Sequence, residues 1–182
     1  MPDLPPELPE LSGWSEFSHL FKYQDIAAKT ILLREGEISK KAYYIEKGCI
    51  RLWFNNDGKE VTFQFFFEGQ AVSSIESFNG NHESVFNIET IEPCTLRIIT
   101  KKDFQMMLDT SPSMAKTVQE HIFQRLLFYQ HLFLSRIKDN PQKRYEELIK
   151  SQPQILQRVP QHYIASYLGI TPVSLSRIRN RR

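Results

Sequence analysis

The sequence has little cysteine: Cys49 and Cys94 are the two in 182 residues. That is too few, and too widely spaced, for a disulfide framework or a cysteine metal cage. Both stand in apolar, strand-like surroundings, which reads as buried free thiols in a reducing cytoplasm. No apolar run nears the roughly 18 residues that a membrane span requires, so no membrane association is expected. The opening residues, MPDLPPELPE, lack the basic start and apolar centre of a signal peptide. Histidine is sparse too, and between Ile26 and Ile99 the one histidine is His82, in a turn-like Asn79-Gly80-Asn81-His82. A metal-binding β-roll would need clustered His and carboxylate ligands on adjacent strands. There is no His-x-His, no Gly-x-Ser-x-Gly and no phosphate loop. Neither an enzyme nor a metal site is expected.

Charge of one sign is missing in two places. No Lys or Arg occurs between Lys59 and Arg97, and no Asp or Glu after Glu147. From Lys150 onward the chain carries six basic residues: Lys150, Arg158, Arg177, Arg179, Arg181 and Arg182. Residues 136–182 hold ten Lys and Arg against three acids, while residues 1–135 are net acidic. An acidic N-terminal part joined to a basic C-terminal one assigns any contact with nucleic acid to the latter.

What is present is an ordinary globular composition, 41% hydrophobic and 24% charged. The most informative stretch is Arg158–Arg182. Pro160 suits a helix start, and Ile164, Ala165 and Leu168 form one apolar stripe. Gly169 is placed to end that helix with a positive φ. Thr171 can cap a second helix with Pro172 at its first position. Leu175 and Ile178 continue the stripe, while Ser174, Ser176, Arg177 and Arg179 face outward. Two short helices joined by a tight glycine turn predict a helix-turn-helix, whose second helix enters the DNA major groove. A generic two-helix hairpin has no need of a purely basic surface; a polyanion-binding one does.

Upstream, residues 1–11 read as a loose arm and Trp14–Phe21 as a short helix. From Ile26 to Ile99 the pattern is of short strands: Ile31–Leu33, Tyr43–Ile45, Ile50–Phe54, Val61–Phe67, Ala71–Val72, Ser84–Ile91 and Thr95–Ile99. Asn55-Asn56-Asp57-Gly58 is the strongest hairpin signal, and Val61, Phe63, Phe65 and Phe67 alternate after it. Strands at this spacing predict a sandwich or barrel. Lys101–Leu108 reads as a helix, and a long one starts at Ser111-Pro112-Ser113 and runs to about Lys138. Its apolar residues Val118, Ile122, Leu126, Tyr129 and Phe133 form one row, with Phe123, Leu127 and Leu134 beside it. So wide an apolar arc needs two partners: the β-domain, and the same helix of a second copy. Asp139-Asn140-Pro141 breaks the helix as a hinge, Lys143–Lys150 is a further helix, and Ser151–Val159 a linker.

Leu33-Arg34-Glu35-Gly36-Glu37, Tyr44-Ile45-Glu46-Lys47-Gly48 and Ile50-Arg51-Leu52, followed by a long helix and a helix-turn-helix, resemble the Crp/Fnr family of bacterial transcription regulators. The resemblance implies an α+β fold: a double-stranded β-helix (jelly roll) over 1–111, a dimerisation helix over 112–138 and a winged helix-turn-helix over 139–182. It also implies a homodimer on double-stranded DNA that acts on RNA polymerase. Members that bind cyclic AMP hold the ribose with Gly-Glu-Leu and the phosphate with a following Arg. Here those positions read Gly69-Gln70-Ala71 and Glu83-Ser84-Val85-Phe86, so cyclic AMP binding in the usual manner is not expected. The resemblance assigns an effector pocket to Gly69, Gln70, Ala71, Ser73, Ser74, Ser84 and Val85, for an unidentified small molecule; no other cofactor is expected. Residues 151–159 are short for the wing, and the chain stops at the end of the second helix. By the family pattern Arg177 reads a guanine and Val173 can touch a thymine methyl. Gln161, Thr171 and Ser174 reach phosphates, Ser176 lies on the same face, and Arg179, Arg181 and Arg182 add charge. The competing reading is an effector-binding or protein-interaction module with weak or lost DNA binding.

Overall fold

The computed structural model describes residues 16–180. After a 3-10 turn at Ser18–Leu20, eight strands form two four-stranded antiparallel sheets. The first sheet has the order β1 (Lys22–Ile26), β8 (Cys94–Thr100), β3 (Lys41–Lys47), β6 (Ala71–Val72). The second has the order β2 (Ile31–Leu33), β7 (Asn87–Thr90), β4 (Ile50–Asn56), β5 (Lys59–Phe66). A short helix, α1 (Ile75–Gly80), stands between β6 and β7. Ile45, Ile50, Leu52, Phe66, Ile88 and Leu96 fill the space between the sheets. The β4–β5 hairpin closes on Asp57-Gly58, both at positive φ, with the Asn55 carboxamide accepting the Gly58 amide at 2.9 Å.

Helices follow the sheets: α2 (Lys101–Thr110), α3 (Pro112–Lys138), α4 (Pro141–Ser151), α5 (Ile155–Arg158), α6 (Gln161–Leu168) and α7 (Pro172–Asn180). The Thr100, Ser111 and Asn140 side chains each accept an amide of the helix they precede, which fixes the starts of α2, α3 and α4. Cys49 and Cys94 are buried free thiols, and burial pushes the Cys94 thiol up to about 11.

Three expectations need correction. The helix expected over Trp14–Phe21 is a 3-10 turn of three residues followed by strand β1, with Trp14 outside the described residues. Strand β1 escaped notice because this mostly exposed strand reads Lys-Tyr-Gln-Asp-Ile, with no apolar alternation. The alternation of Val61, Phe63, Phe65 and Phe67 does not hold to one face, because the pairing with β4 slips between Leu52 and Trp53. Phe63 and Phe66 pack into the roll, whereas Phe65 and Phe67 pack outward against the C-terminal helices. Finally, the stretch expected as a plain linker carries α5, and no strand follows β8 among the described residues, so a wing is not seen there.

Candidate nucleic-acid interface

Helices α6 and α7 are joined by Gly169 at φ +68°, a backbone that a side chain would strain. The Ile170 amide bonds back to the Ala165 carbonyl at 3.0 Å, closing the end of α6. The Thr171 hydroxyl then accepts the Ser174 amide at 3.1 Å and starts α7. Pro160 stands one residue before α6, where its carbonyl accepts the Tyr163 and Ile164 amides. Ile164, Ala165, Leu168 and Leu175 are buried in one cluster, with Ile170 and Ile178 half-buried beside them.

At 3.6 residues per turn, Val173 and Arg177 fall opposite Leu175 on α7. Both are exposed, as are Ser176 and Arg179. Gln161 is exposed at the start of α6, and Ser174 is half-buried. The Thr171 hydroxyl also bonds the Ser174 hydroxyl at 3.0 Å, so it is committed to its cap rather than free for a phosphate. Arg181 and Arg182 lie outside the described residues. The exposed face of α7 is thus cationic and apolar, with no acid on it among the described residues.

The opposite side of this hairpin rests on the β-roll. The Ser166 hydroxyl accepts the Thr62 amide and donates to the Glu60 carbonyl, both at 3.0 Å, on the edge strand β5. Arg51, 1% exposed, bonds Glu89, Glu60 and Thr62 and lies 3.8 Å from the ring centre of Tyr163 on α6. Arg158 grips Glu68 with two bonds of 2.7 and 2.8 Å, and its Nε donates to Glu92 at 3.0 Å. Burial would raise the Glu68 carboxyl, but the Arg158 bonds and the Gly48 amide outweigh it and hold it at about 2. Arg158 is one of the six basic residues expected on the polyanion-binding surface, but its charge is spent inside the chain on Glu68 and Glu92. Arg136 and Arg144 likewise donate to the Tyr167 and Leu168 carbonyls at the C-terminal end of α6, at 2.7 and 2.8 Å.

The residues assigned to an effector pocket do not converge. The Gln70 side chain accepts the Phe67 amide at 2.9 Å and is buried. The buried Ser74 and Ser84 hydroxyls bond each other at 3.0 Å. Val85 points to solvent, 67% exposed, and Gly69 sits in a turn at φ +78°. Ala71 and Ser73 alone line a cavity, one that lies under α3. Of the residues read as a dimer face, Ile122, Leu126 and Phe133 are exposed. Val118 faces that cavity, and Tyr129 packs against Phe128, turned partly inward. Sequence reasoning missed Arg51, Ser166 and Arg125. A charge amid strand or helix apolars is the one signal that could have marked Arg51 and Arg125.

Residues 23–111 match the family model of the cyclic nucleotide-binding domain. The cAMP-activated global transcriptional regulator CRP of Salmonella typhimurium is 23% identical over 119 residues, covering 65% of this chain and 55% of that protein. The CRP of Haemophilus influenzae is 24% identical over 119 residues, covering 65% of this chain and 52% of its own length. The chain therefore spans about half the length of the curated relatives it matches. FixK2 from Bradyrhizobium japonicum superposes with TM-score 0.76 at 13% identity, over 88% of this chain and 83% of that one. The c-di-GMP responsive regulator CLP of Xanthomonas campestris gives 0.73 at 16%, over 94% and 91%. At these identities the superpositions establish the fold. No helix among the described residues is long and apolar enough to cross a membrane, and no cluster of His, Cys, Asp or Glu there could hold a metal ion.

Proposed function

We propose that the chain is a DNA-binding transcriptional regulator of the Crp/Fnr type, acting as a homodimer and engaging RNA polymerase. One observation carries the reading. Hairpin α6–Gly169–α7 buries Leu175 and turns Val173, Ser176, Arg177 and Arg179 to solvent, as a helix-turn-helix must. Likeness to CRP supports a role in transcription regulation. Arg177 is the base-reading residue, bidentate to a guanine, and Val173 meets a thymine methyl. The second copy docks on α3 through Ile122, Leu126 and Phe133. The roll does not take cyclic AMP in the usual manner. No Lys or Arg lies between Lys59 and Arg97 to neutralise its phosphate, and Ser74 and Ser84 are already paired with each other.

Selection of duplexes from a random pool tests the function. A symmetric motif should be enriched, its half-sites about one helical turn, ~34 Å, apart. A pool that stays unenriched at low salt would leave a protein-interaction module as the better reading.

A further inference from the structure

Asp139-Asn140-Pro141 ends α3 and, by its sequence, reads as a hinge. The structure ties this bend down from both sides. The Asn140 carboxamide accepts the Lys143 amide at 2.9 Å, and Lys143 reaches back to Asp139 at 2.6 Å. Arg144 of α4 donates to the Arg136 carbonyl of α3 at 3.4 Å and to the Leu168 carbonyl of α6 at 2.8 Å. Arg136 donates in turn to the Tyr167 carbonyl at 2.7 Å. Three helices are thus bonded to one another beside the bend.

Past the bend, the helices share their core with the roll. Cys49, Phe65 and Phe67 lie in one buried cluster with Tyr145, Leu148, Ile164 and Leu168, and none of the three is more than 4% exposed. The Phe65 ring stands 5.4 Å from that of Tyr167. Polar ties run the length of α6. Arg158 grips Glu68 and Glu92 before the helix starts, Tyr163 covers Arg51 in its first turn, and Ser166 bonds β5 twice further on. Arg136 and Arg144 hold its last carbonyls. Contacts at both ends and along the middle of one helix stop it from tilting as well as lifting. Helix α7 follows α6, because Leu175 is buried in the same cluster. Relative motion is the rule between two parts of a chain unless the interface is large and apolar; here it is continuous with a core.

We propose that the outer face of β5 is the floor of the α4–α7 core, so that the roll and the α6–α7 hairpin form one rigid body and the bend is not a working hinge. Phe65 and Ser166 are then positioning residues: they sit on the roll side of the hairpin and fix where α7 stands. Docking holds α7 without masking it, since Val173 on its outer face is 61% exposed. In a dimer built on α3, the separation of the two α7 helices is set by the rolls rather than by flexing at residues 139–141. That consequence for DNA rests on the function proposed above; the rigidity does not.

Distances between nitroxide labels on the full chain test this. Glu76→Cys on α1 carries one label, and Lys150→Cys on α4 or Asn180→Cys on α7 carries the other; all three positions are exposed. Cys49 and Cys94 are buried and stay unlabelled, and an excess of unlabelled chain keeps a second labelled copy out of range. Each pair should give one narrow distance distribution, with its mean unmoved when a binding duplex is added. Phe65→Ser should broaden both distributions and weaken every duplex alike, by about tenfold. Phe65→Leu, which keeps the apolar floor, should match the wild type in both. A broad or two-peaked wild-type distribution, a shift of its mean on adding duplex, or an unchanged width in Phe65→Ser would each overturn the proposal. The wild-type result decides even where Phe65→Ser fails to fold. The labels report without DNA, so a narrow distribution in a chain that binds no duplex would sustain the rigid body and refute the regulator.

Discussion

The guanidinium of Arg51 on β4 stacks on Tyr163 of α6, 3.8 Å from the ring centre, while it bonds Glu89 and Glu60. One buried cation thus holds two carboxylates of the roll and an aromatic ring of the α6–α7 hairpin. Arg51→Ala should cost about 3–5 kcal/mol in urea melts, because it leaves buried acid unpaired. Tyr163→Leu keeps the acids paired and should cost about 1–2 kcal/mol. Equal losses for the two variants would mean that the ring, not the ion pairs, anchors Arg51.

At the DNA, Arg177→Ala should cost about 1–3 kcal/mol and relax preference at one symmetric base pair per half-site. Arg179→Ala should weaken all sequences alike and flatten the salt dependence by about one unit of slope. Titrations of matched and mismatched palindromes at several salt concentrations separate the two. Uniform weakening by Arg177→Ala would make that residue a phosphate clamp.

Much of this hairpin was legible because its signals are local. Gly169, Thr171, Pro172 and the stripe from Ile164 to Ile178 fall within fifteen residues of one another. Helix α3 was legible for the same reason, from Pro112 and a sustained apolar period. The docking was not legible. Arg51 finds Glu89 across two strands and Tyr163 across the whole helical half, and no sequence period encodes either pairing. Arg158 shows the same limit from the other side: a basic count cannot tell a free charge from one bound to Glu68. The slip at Leu52 and Trp53 reversed which phenylalanines face the roll, and nothing in their spacing announces it.

Leu126 and Phe133 of α3 are 60% and 64% exposed. Together with Ile122 and Ile137 they leave an apolar strip on a helix already packed on its other side. Leu126→Glu combined with Phe133→Glu should shift sedimentation from dimer to monomer at micromolar concentration without lowering helix content. A wild-type chain that sediments as a monomer under those conditions removes the α3 dimer.

Gly48 has φ +110°, and a Cβ there would stand 2.4 Å from Cys94 Sγ and 2.9 Å from the Pro93 carbonyl oxygen. Backbone lies on one side and a buried thiol on the other, so neither can give way. Gly48→Ala should cost about 2–3 kcal/mol, and Gly48→Ala with Cys94→Ala should recover only the part owed to the sulfur. Full recovery in a thermal melt would show that the backbone tolerates the side chain.

His121 is protonated near pH 4 in the folded chain, against 6.5 for the ordinary group, through burial and the Arg125 charge. The native state therefore binds fewer protons than the unfolded one between these values. Stability from this residue is complete above pH 6.5, falls as the pH drops toward 4, and levels off below. His121→Gln should flatten that part of the curve of stability against pH. An unchanged curve would place the acid sensitivity of that range elsewhere, since Glu68, held at about 2, loses its contribution only below the ordinary carboxylate value of 4.5.

Ser166 does more than hold α6 in place. It occupies the Thr62 amide and the Glu60 carbonyl, which are outward-facing groups of an edge strand. An open edge of this kind is a template on which another chain can add a strand. Phe65 on that strand and Phe67 just past its end would be bared to water if α6 lifted away. While α6 is docked, that part of the edge is closed to strand addition. Any motion that lifts α6 exposes β5 to self-association, so release of α6 and aggregation should rise together in a chain that has lost Ser166.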